Sequence, residues 1–349
     1  MRTIVAELDR VEMANPTDDK RREARALWYA EPGRVELRRA ELFRKEGDVT
    51  LRMLWSGVSR GTERLVCQGQ VPASEYERMA APLQEGAFPF PVKYGYCAVA
   101  RVEAADEADL IGRSVFCLHP HQTLFAAPRA MVSPLPAGLP PRRATLTANM
   151  ETALNAVWDS GAGPGDRIYV IGAGVLGLLV AYLAARLPGA EVCVVDLQDS
   201  RRALVESFGA RFAHPAQLGA PGDGDVVIHA SASSAGLGVA LGAAGLEARV
   251  IELSWYGTAD VLAPLGGAFH SQRLQLISSQ VGQVSPGRRP RWSYARRLAK
   301  ALELLCDDRL DGLITDEIAF EDAPTQLPDL LGKQAQGLAT VLRYADPSA

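Results

Sequence analysis

Cysteine is scarce and scattered, with Cys67, Cys97, Cys117, Cys193 and Cys306 the only five in 349 residues and no C-x-x-C pair among them. An odd number of widely spaced thiols argues against a disulfide framework and suits reduced side chains in a cytosol. Long apolar runs are missing too: no uninterrupted stretch reaches membrane-spanning length, and Arg2, Glu7, Asp9 and Arg10 charge the N-terminus early. Neither an anchor nor a signal peptide is read from such a pattern, so a cytoplasmic location without membrane partners is expected. Nor does one sign of charge prevail. A net charge of −4, with basic residues dispersed except near 20–22 and 288–291, gives no general attraction for nucleic acid. What is present is a core-forming composition, 48% hydrophobic and 22% charged, in a chain long enough for two domains.

The most informative stretch is Arg167-Ile-Tyr-Val-Ile-Gly172-Ala-Gly174-Val-Leu-Gly177. An apolar strand runs into G-x-G-x-x-G, and an apolar run over 178–187 continues at helical length, the context that gives the glycine pattern meaning. Gly172 permits the tight turn, Gly174 lets backbone approach a pyrophosphate, and Gly177 lets helix and strand pack closely. The N–H groups of the helix start, at Val175 and Leu176, face the phosphates. A second strand, 191–195, ends at Asp196, whose carboxylate accepts bonds from a ribose diol and repels a 2′-phosphate. The cofactor expected is therefore NAD or NADP, with NAD favoured. Arg201 and Arg202 blur that preference.

Residues 1–24 read as a charged N-terminal extension, within which 3–8 is a mobile arm, an added strand or a cover for a neighbouring subunit. From 25 to 148 short apolar runs at 49–58, 95–102, 114–118 and 124–127, punctuated by glycine and proline, predict an irregular β-rich domain. The rigid connector Pro134-Leu-Pro136-Ala-Gly138-Leu-Pro140-Pro141 leads into a helical pattern over 144–159. Residues 149–283 are assigned to a doubly wound α/β domain, with further strands at 225–229, 249–253 and 274–278. Residues 284–349, with a helix over 294–306 and a strand over 339–344, are assigned to the first domain.

With this order in hand, the chain resembles the medium-chain dehydrogenase/reductase superfamily from about residue 25 to its end. The likeness is carried by Trp55-Ser-Gly57-Val-Ser59-Arg60, Val92-Lys-Tyr-Gly95-Tyr96-Cys97, Gly112-Arg-Ser-Val115-Phe116, Gly165-Asp166-Arg167, the glycine fingerprint and Leu310-Asp-Gly-Leu313-Ile-Thr315. Within the superfamily, Ser59-Arg-Gly-Thr-Glu63 and Phe116-Cys-Leu-His-Pro-His-Gln122 look most like the branch containing bacteriochlorophyllide dehydrogenase-like proteins. The resemblance implies a Rossmann domain, a GroES-like catalytic domain, and a homodimer with the strand near 274–278 as a candidate edge. It also implies Arg60 near cofactor phosphate, and Ser254, Ser279 and Gln280 bordering the nicotinamide; Arg201 is a further cofactor-binding candidate from its place after Asp196.

Zinc-dependent members place a cysteine where Ser59 stands, a Gly-His-Glu where Gly95-Tyr96-Cys97 stands, and a cysteine or glutamate near Glu151. Only Glu151 survives as a usual ligand, and serine and tyrosine ligate zinc poorly at neutral pH, so no zinc is expected. A set drawn from Cys97, Glu151 and His119 or His121 is the alternative. Without a metal, either the acceptor is already activated or a side chain stabilises the charge that develops on it. Tyr96 is the first candidate donor, with Ser59 and Thr62 as polar neighbours, His121 as a general acid and Glu151 as a cleft carboxylate. Trp255, Tyr256, Phe269 and His270 are expected to wall a pocket for a bulky substrate. The expected activity is a zinc-independent NAD(P)H-dependent reductase acting on a conjugated carbonyl or activated double bond of a specialised metabolite, with ring closure as an accompanying step. A secondary-alcohol or ketone dehydrogenase and a non-catalytic dinucleotide-binding module are the alternatives.

Overall fold

The computed structural model describes residues 23–42, 44–219, 222–332 and 334–345. The readings made for 1–22, the proposed added strand included, lie outside the described residues. The described residues open with a hairpin, β1 (Ala24–Glu31) and β2 (Arg34–Ala40), followed by the long β3 (Asp48–Val58) and the short α1 (Arg60–Cys67). Six strands follow: β4 (Glu85–Gly86), β5 (Val92–Lys93), β6 (Ala98–Ala104), β7 (Ser114–Cys117), β8 (Leu124–Pro128) and β9 (Val132–Pro134). The prolines of the connector end this run, and Pro141 begins α2 (Pro141–Ala144), where its missing N–H costs nothing. A second helix, α3 (Thr147–Ser160), stops at Gly161, whose φ of +69° ends the helix in the left-handed region.

Then β10 (Arg167–Ile171), α4 (Val175–Ala184), β11 (Glu191–Val195), α5 (Arg202–Ser207), β12 (Arg211–Ala213), β13 (Gly224–His229), α6 (Ser234–Ala243), β14 (Ala244–Glu252) and β15 (Gln275–Ser278) alternate. They build a six-stranded sheet of order β12-β11-β10-β13-β14-β15, parallel throughout. Strand periodicity explains why helices cover both faces. Val192 and Val194 enter one apolar cluster with Leu178, Leu179 and Ala181 of α4, whereas Cys193 and Val195 enter another with Leu237 and Leu241 of α6. The strand order reverses between β10 and its neighbour β13, which puts the binding crevice beyond the carboxyl ends of those two strands.

The chain ends with α7 (Tyr294–Leu304), β16 (Ile314–Ala319), α8 (Ala323–Leu330) and β17 (Ala339–Arg343). Strand β17 runs antiparallel to β3, pairing Thr340 with Val58 and Arg343 with Trp55, and so completes a seven-stranded sheet with β16, β6, β7, β9 and β8. Helix α7 packs in an apolar cluster that draws on both domains. Its Ala301 and Leu302 share an apolar cluster with Leu154 of α3 and Leu178 of α4.

Two glycines of the fingerprint differ in what they hold back. A Cβ on Gly177 would stand 1.9 Å from the Gly172 carbonyl oxygen, whereas one on Gly174 meets nothing within 4 Å. Gly177→Ala should therefore destabilise the fold by about 1–3 kcal/mol through overpacking, and Gly174→Ala should leave it within about 0.5 kcal/mol. Denaturant midpoints of the two variants check this; equal midpoints would remove the close-packing role from Gly177.

Candidate active site

The glycine loop turns at the end of β10. Gly172 donates its N–H to the Val195 carbonyl at 2.8 Å and takes a φ of +108°. Gly174 is the exposed N-cap of α4 and offers no side-chain cap, so the first N–H groups of that helix face open space. Val175 and Leu176 form its half-buried first turn. Asp196 lies beside this loop: its Oδ2 accepts the Ala173 N–H at 2.6 Å and its Oδ1 accepts the Gln198 N–H at 2.8 Å. A carboxylate has about four acceptor positions, so two such bonds leave room for a diol. Arg60 and Arg201 converge from α1 and from the turn before α5. Arg60 donates to the carbonyls of Ala335 and Gly337, and Arg201 to those of Gln336 and Gly337. Arg60 Nε is a buried side-chain atom without a partner among the described residues.

The remaining cofactor candidates are spent on loop structure. Ser254 Oγ accepts the Ala232 N–H at 3.1 Å, and Ser279 Oγ donates to Asp159 at 2.6 Å. Gln280 closes a turn by accepting the Gly282 N–H at 2.6 Å. Across the cleft, the Thr258 N–H donates to the Gln70 carbonyl at 3.0 Å, which ties the loop after β14 to the segment after α1.

On the first-domain side, Ser59 caps α1. Its N–H donates to Glu63 Oε1 at 2.7 Å, and its Oγ accepts the Tyr96 hydroxyl at 2.5 Å, with Thr62 as a further partner of that phenol. Burial, and then Cys97 beside it, push the Tyr96 phenol well up, while the bonds to Ser59 and Thr62 only soften the shift. Tyr96 therefore keeps its proton and acts as a hydrogen-bond donor.

Two expected catalytic residues are elsewhere engaged. His121 is fully buried, with Nδ1 2.7 Å from Ser56 Oγ and Nε2 2.9 Å from Glu63 Oε2. Both ring nitrogens are occupied, so His121 is an interior strut and not a general acid at the cleft. The network continues through Tyr29, which donates to Glu63 at 2.6 Å, and Tyr344, 2.8 Å from Ser56. Burial raises the Glu63 carboxyl, and His121, Tyr29 and the Ser59 N–H outweigh it, so its pKa is lowered. Gly95 belongs to the same packing: a Cβ there would lie 2.9 Å from His121 Nε2.

Glu151 is likewise corrected from cleft carboxylate to buried ion-pair partner. Arg297 Nε donates to it at 2.8 Å, and the same guanidinium reaches Asn155 Oδ1 at 2.7 Å and the Val281 carbonyl at 2.6 Å. Burial raises the Glu151 pKa against the pull of Arg297. The alternative zinc set fits poorly on chemistry: Glu151 is bound to a guanidinium, burial pushes the Cys97 thiol far up, and His121 has both nitrogens taken. No group of three or more His, Cys, Asp or Glu among the described residues could hold a metal ion. His119 stacks on Phe125 with ring centroids 3.8 Å apart. Its Nδ1 lies 2.8 Å from the Pro120 carbonyl.

The four aromatic candidates do not form one wall. Trp255 packs on the first domain's cluster, Phe269 on the α6 side of the parallel sheet, Tyr256 bonds to Glu252, and His270 is exposed. Sequence reading also missed Arg297 and a His229–Glu252 pair. A histidine closing the apolar strand Val226-Val-Ile-His229 was the one local signal for the last.

No protein-family model matches the chain. An uncharacterized zinc-type alcohol dehydrogenase-like protein of Haemophilus influenzae is 24% identical over 246 residues, 67% of each chain. Among solved structures, a short chain alcohol dehydrogenase from Escherichia coli complexed with NADH superposes with a TM-score of 0.72 at 14% identity, covering 92% of this chain and 99% of that one. S. aureus TarJ in complex with NADPH gives 0.72 at 14% identity over 93% and 100% of the two chains. The fold is a Rossmann domain with a GroES-like first domain, the one shared by the dehydrogenases on which the chain superposes.

Two outcomes are expected of this interior chemistry. Arg297→Met leaves a buried carboxylate unpaired and should cost about 3–5 kcal/mol, most of it recovered in the Arg297→Met/Glu151→Met double variant; an equal loss in both by chemical denaturation would refute the ion-pair account. Burial lowers the His119 pKa from 6.5 to about 3. Below pH 6.5 the unfolded chain takes up a proton that the folded chain refuses, so stability falls as pH drops from 6.5 towards 3. His119→Gln should flatten that limb by up to about 1.4 kcal/mol per pH unit. An unchanged slope in stability against pH would show that His119 does not set it.

Proposed function

We propose that the chain is an NAD(P)-dependent oxidoreductase working without catalytic zinc, a reductase of conjugated carbonyls or activated double bonds in a bulky metabolite. The observation that carries it is the open N-terminus of α4 at Gly174, with Asp196 at one flank of the glycine loop. The helix N–H groups and Arg60 are suited to hold a pyrophosphate, and Asp196 to hold the ribose diol and disfavour a 2′-phosphate. Relatives of the same fold solved with NADH and with NADPH support either cofactor. When bound, a dihydronicotinamide supplies hydride.

The chain's own part is to bind, orient and polarise. The Tyr96–Ser59 pair is the assigned source of charge stabilisation: the phenol holds its proton and donates it to Ser59 Oγ, which leaves the Ser59 hydroxyl hydrogen for an acceptor. Such a pair stabilises by hydrogen bonding, which is weaker than a Lewis acid, so it suits an acceptor with its own electron sink. Ring closure of the reduced product is compatible with that class. The outer edge of β15, with Leu276 exposed, supports pairing with a second copy.

The test begins with nicotinamide fluorescence titrations, in which NADH should bind more tightly than NADPH. Turnover of enones, quinones and ketones is then followed before and after chelation. Chelation should leave enone reduction unchanged, and Tyr96→Phe should lower ketone reduction about a hundredfold while reducing enone turnover less. Activity abolished by chelation and restored by zinc would overturn the reading.

A further inference from the structure

Beyond the glycine loop, on the side of β10 away from Asp196, stands a hydrogen-bonded array that the proposed chemistry has not used. Ser231 follows β13, His229 ends it and Glu252 ends β14. His229 Nε2 is 2.7 Å from Ser231 Oγ, and His229 Nδ1 is 2.7 Å from Glu252 Oε2. Glu252 also accepts the Tyr256 hydroxyl at 3.0 Å and the Ser254 N–H at 2.7 Å. Burial raises its carboxyl, but these donors, His229 foremost, outweigh it and leave the pKa lowered. The imidazole is fully buried, while Ser231 is exposed.

The array has a direction. An ionised carboxylate only accepts, so in the neutral imidazole the proton sits on Nδ1 and Nε2 accepts from Ser231. The Ser231 hydroxyl hydrogen thus points into the protein and the oxygen's lone pairs point outward. One of them meets Ser233 Oγ at 3.1 Å. Room for the array is built in: a Cβ on Gly236 would stand 2.0 Å from Ser231 Oγ and 2.8 Å from His229 Nε2. The turn is also held open by Ala232, a non-glycine residue with φ +51° whose N–H is bound to Ser254.

Its place names the ligand chemistry. Sheet order is β11-β10-β13, and a Cβ on Gly172 would come within 2.9 Å of the Ser231 N, so Ser231 borders the glycine loop opposite Asp196. A dinucleotide whose first ribose lies by Asp196 and whose pyrophosphate crosses α4 sends its second nucleoside towards β13. Resting on the dinucleotide reading above, we infer that Ser231 is an acceptor for a hydroxyl of that second ribose, with His229 and Glu252 as positioning residues that fix the polarity of its hydrogen bond.

Titration calorimetry with ADP and ADP-ribose tests this on the intact chain, since only ADP-ribose carries the second sugar. Ser231→Ala should weaken ADP-ribose about tenfold and leave ADP within about twofold. His229→Gln should weaken ADP-ribose similarly, and the double variant should be no weaker than Ser231→Ala alone, as expected if His229 acts through that hydroxyl. Unchanged ADP-ribose affinity in Ser231→Ala, or parallel loss of ADP, would overturn the assignment while leaving the dinucleotide site standing. Failure of the wild-type chain to bind either nucleotide would overturn both.

Discussion

An ionised carboxylate cannot sit in a protein interior without donors around it, and the groups ringing this cleft are arranged by three that must be satisfied. Glu63 takes Tyr29, His121 and the N–H of Ser59, and so holds the start of α1 against the first-domain core. Glu151 takes Arg297, whose other donors hold the loop after β15 through the Val281 and Gln283 carbonyls. Glu252 takes His229, Tyr256 and the Ser254 N–H, and so joins the ends of β13 and β14. Ser59, whose N–H is held by Glu63 and whose Oγ accepts from Tyr96, and the exposed Ser231, bonded to His229, are positioned by these interactions.

The arrangement also bears on the proposal of a zinc-free site. Where zinc-dependent relatives by resemblance keep a ligand at Glu151, this chain supplies a permanent cation from α7. A guanidinium with fixed donors balances the carboxylate's charge but has no vacant coordination position with which to polarise a carbonyl. On that proposal the burden falls on a hydrogen-bonded phenol and on the electronic structure of the acceptor.

Readings that rest on neighbours in sequence match the structure closely. The strand, glycine turn and helix of the fingerprint appear at β10 and α4, and Asp196 stands against the loop as its register requires. The strand at 339–344 returns to β3. Readings that depended on which residue faces which cavity fared differently. His121 and Glu151 turned inward, and the four aromatics separated into different environments. Their partners, Glu63 in α1 and Arg297 in α7, are 58 and 146 residues away along the chain.

By itself, then, the sequence determined the parallel α/β domain, its dinucleotide turn and the β-rich domain before it, because periodicity, glycine sterics and capping act over a few residues. Only the tertiary structure decided which polar side chains face the cleft and which are consumed inside. That choice depends on donors and acceptors brought together from distant segments, and on the cost of leaving any buried charge unpaired.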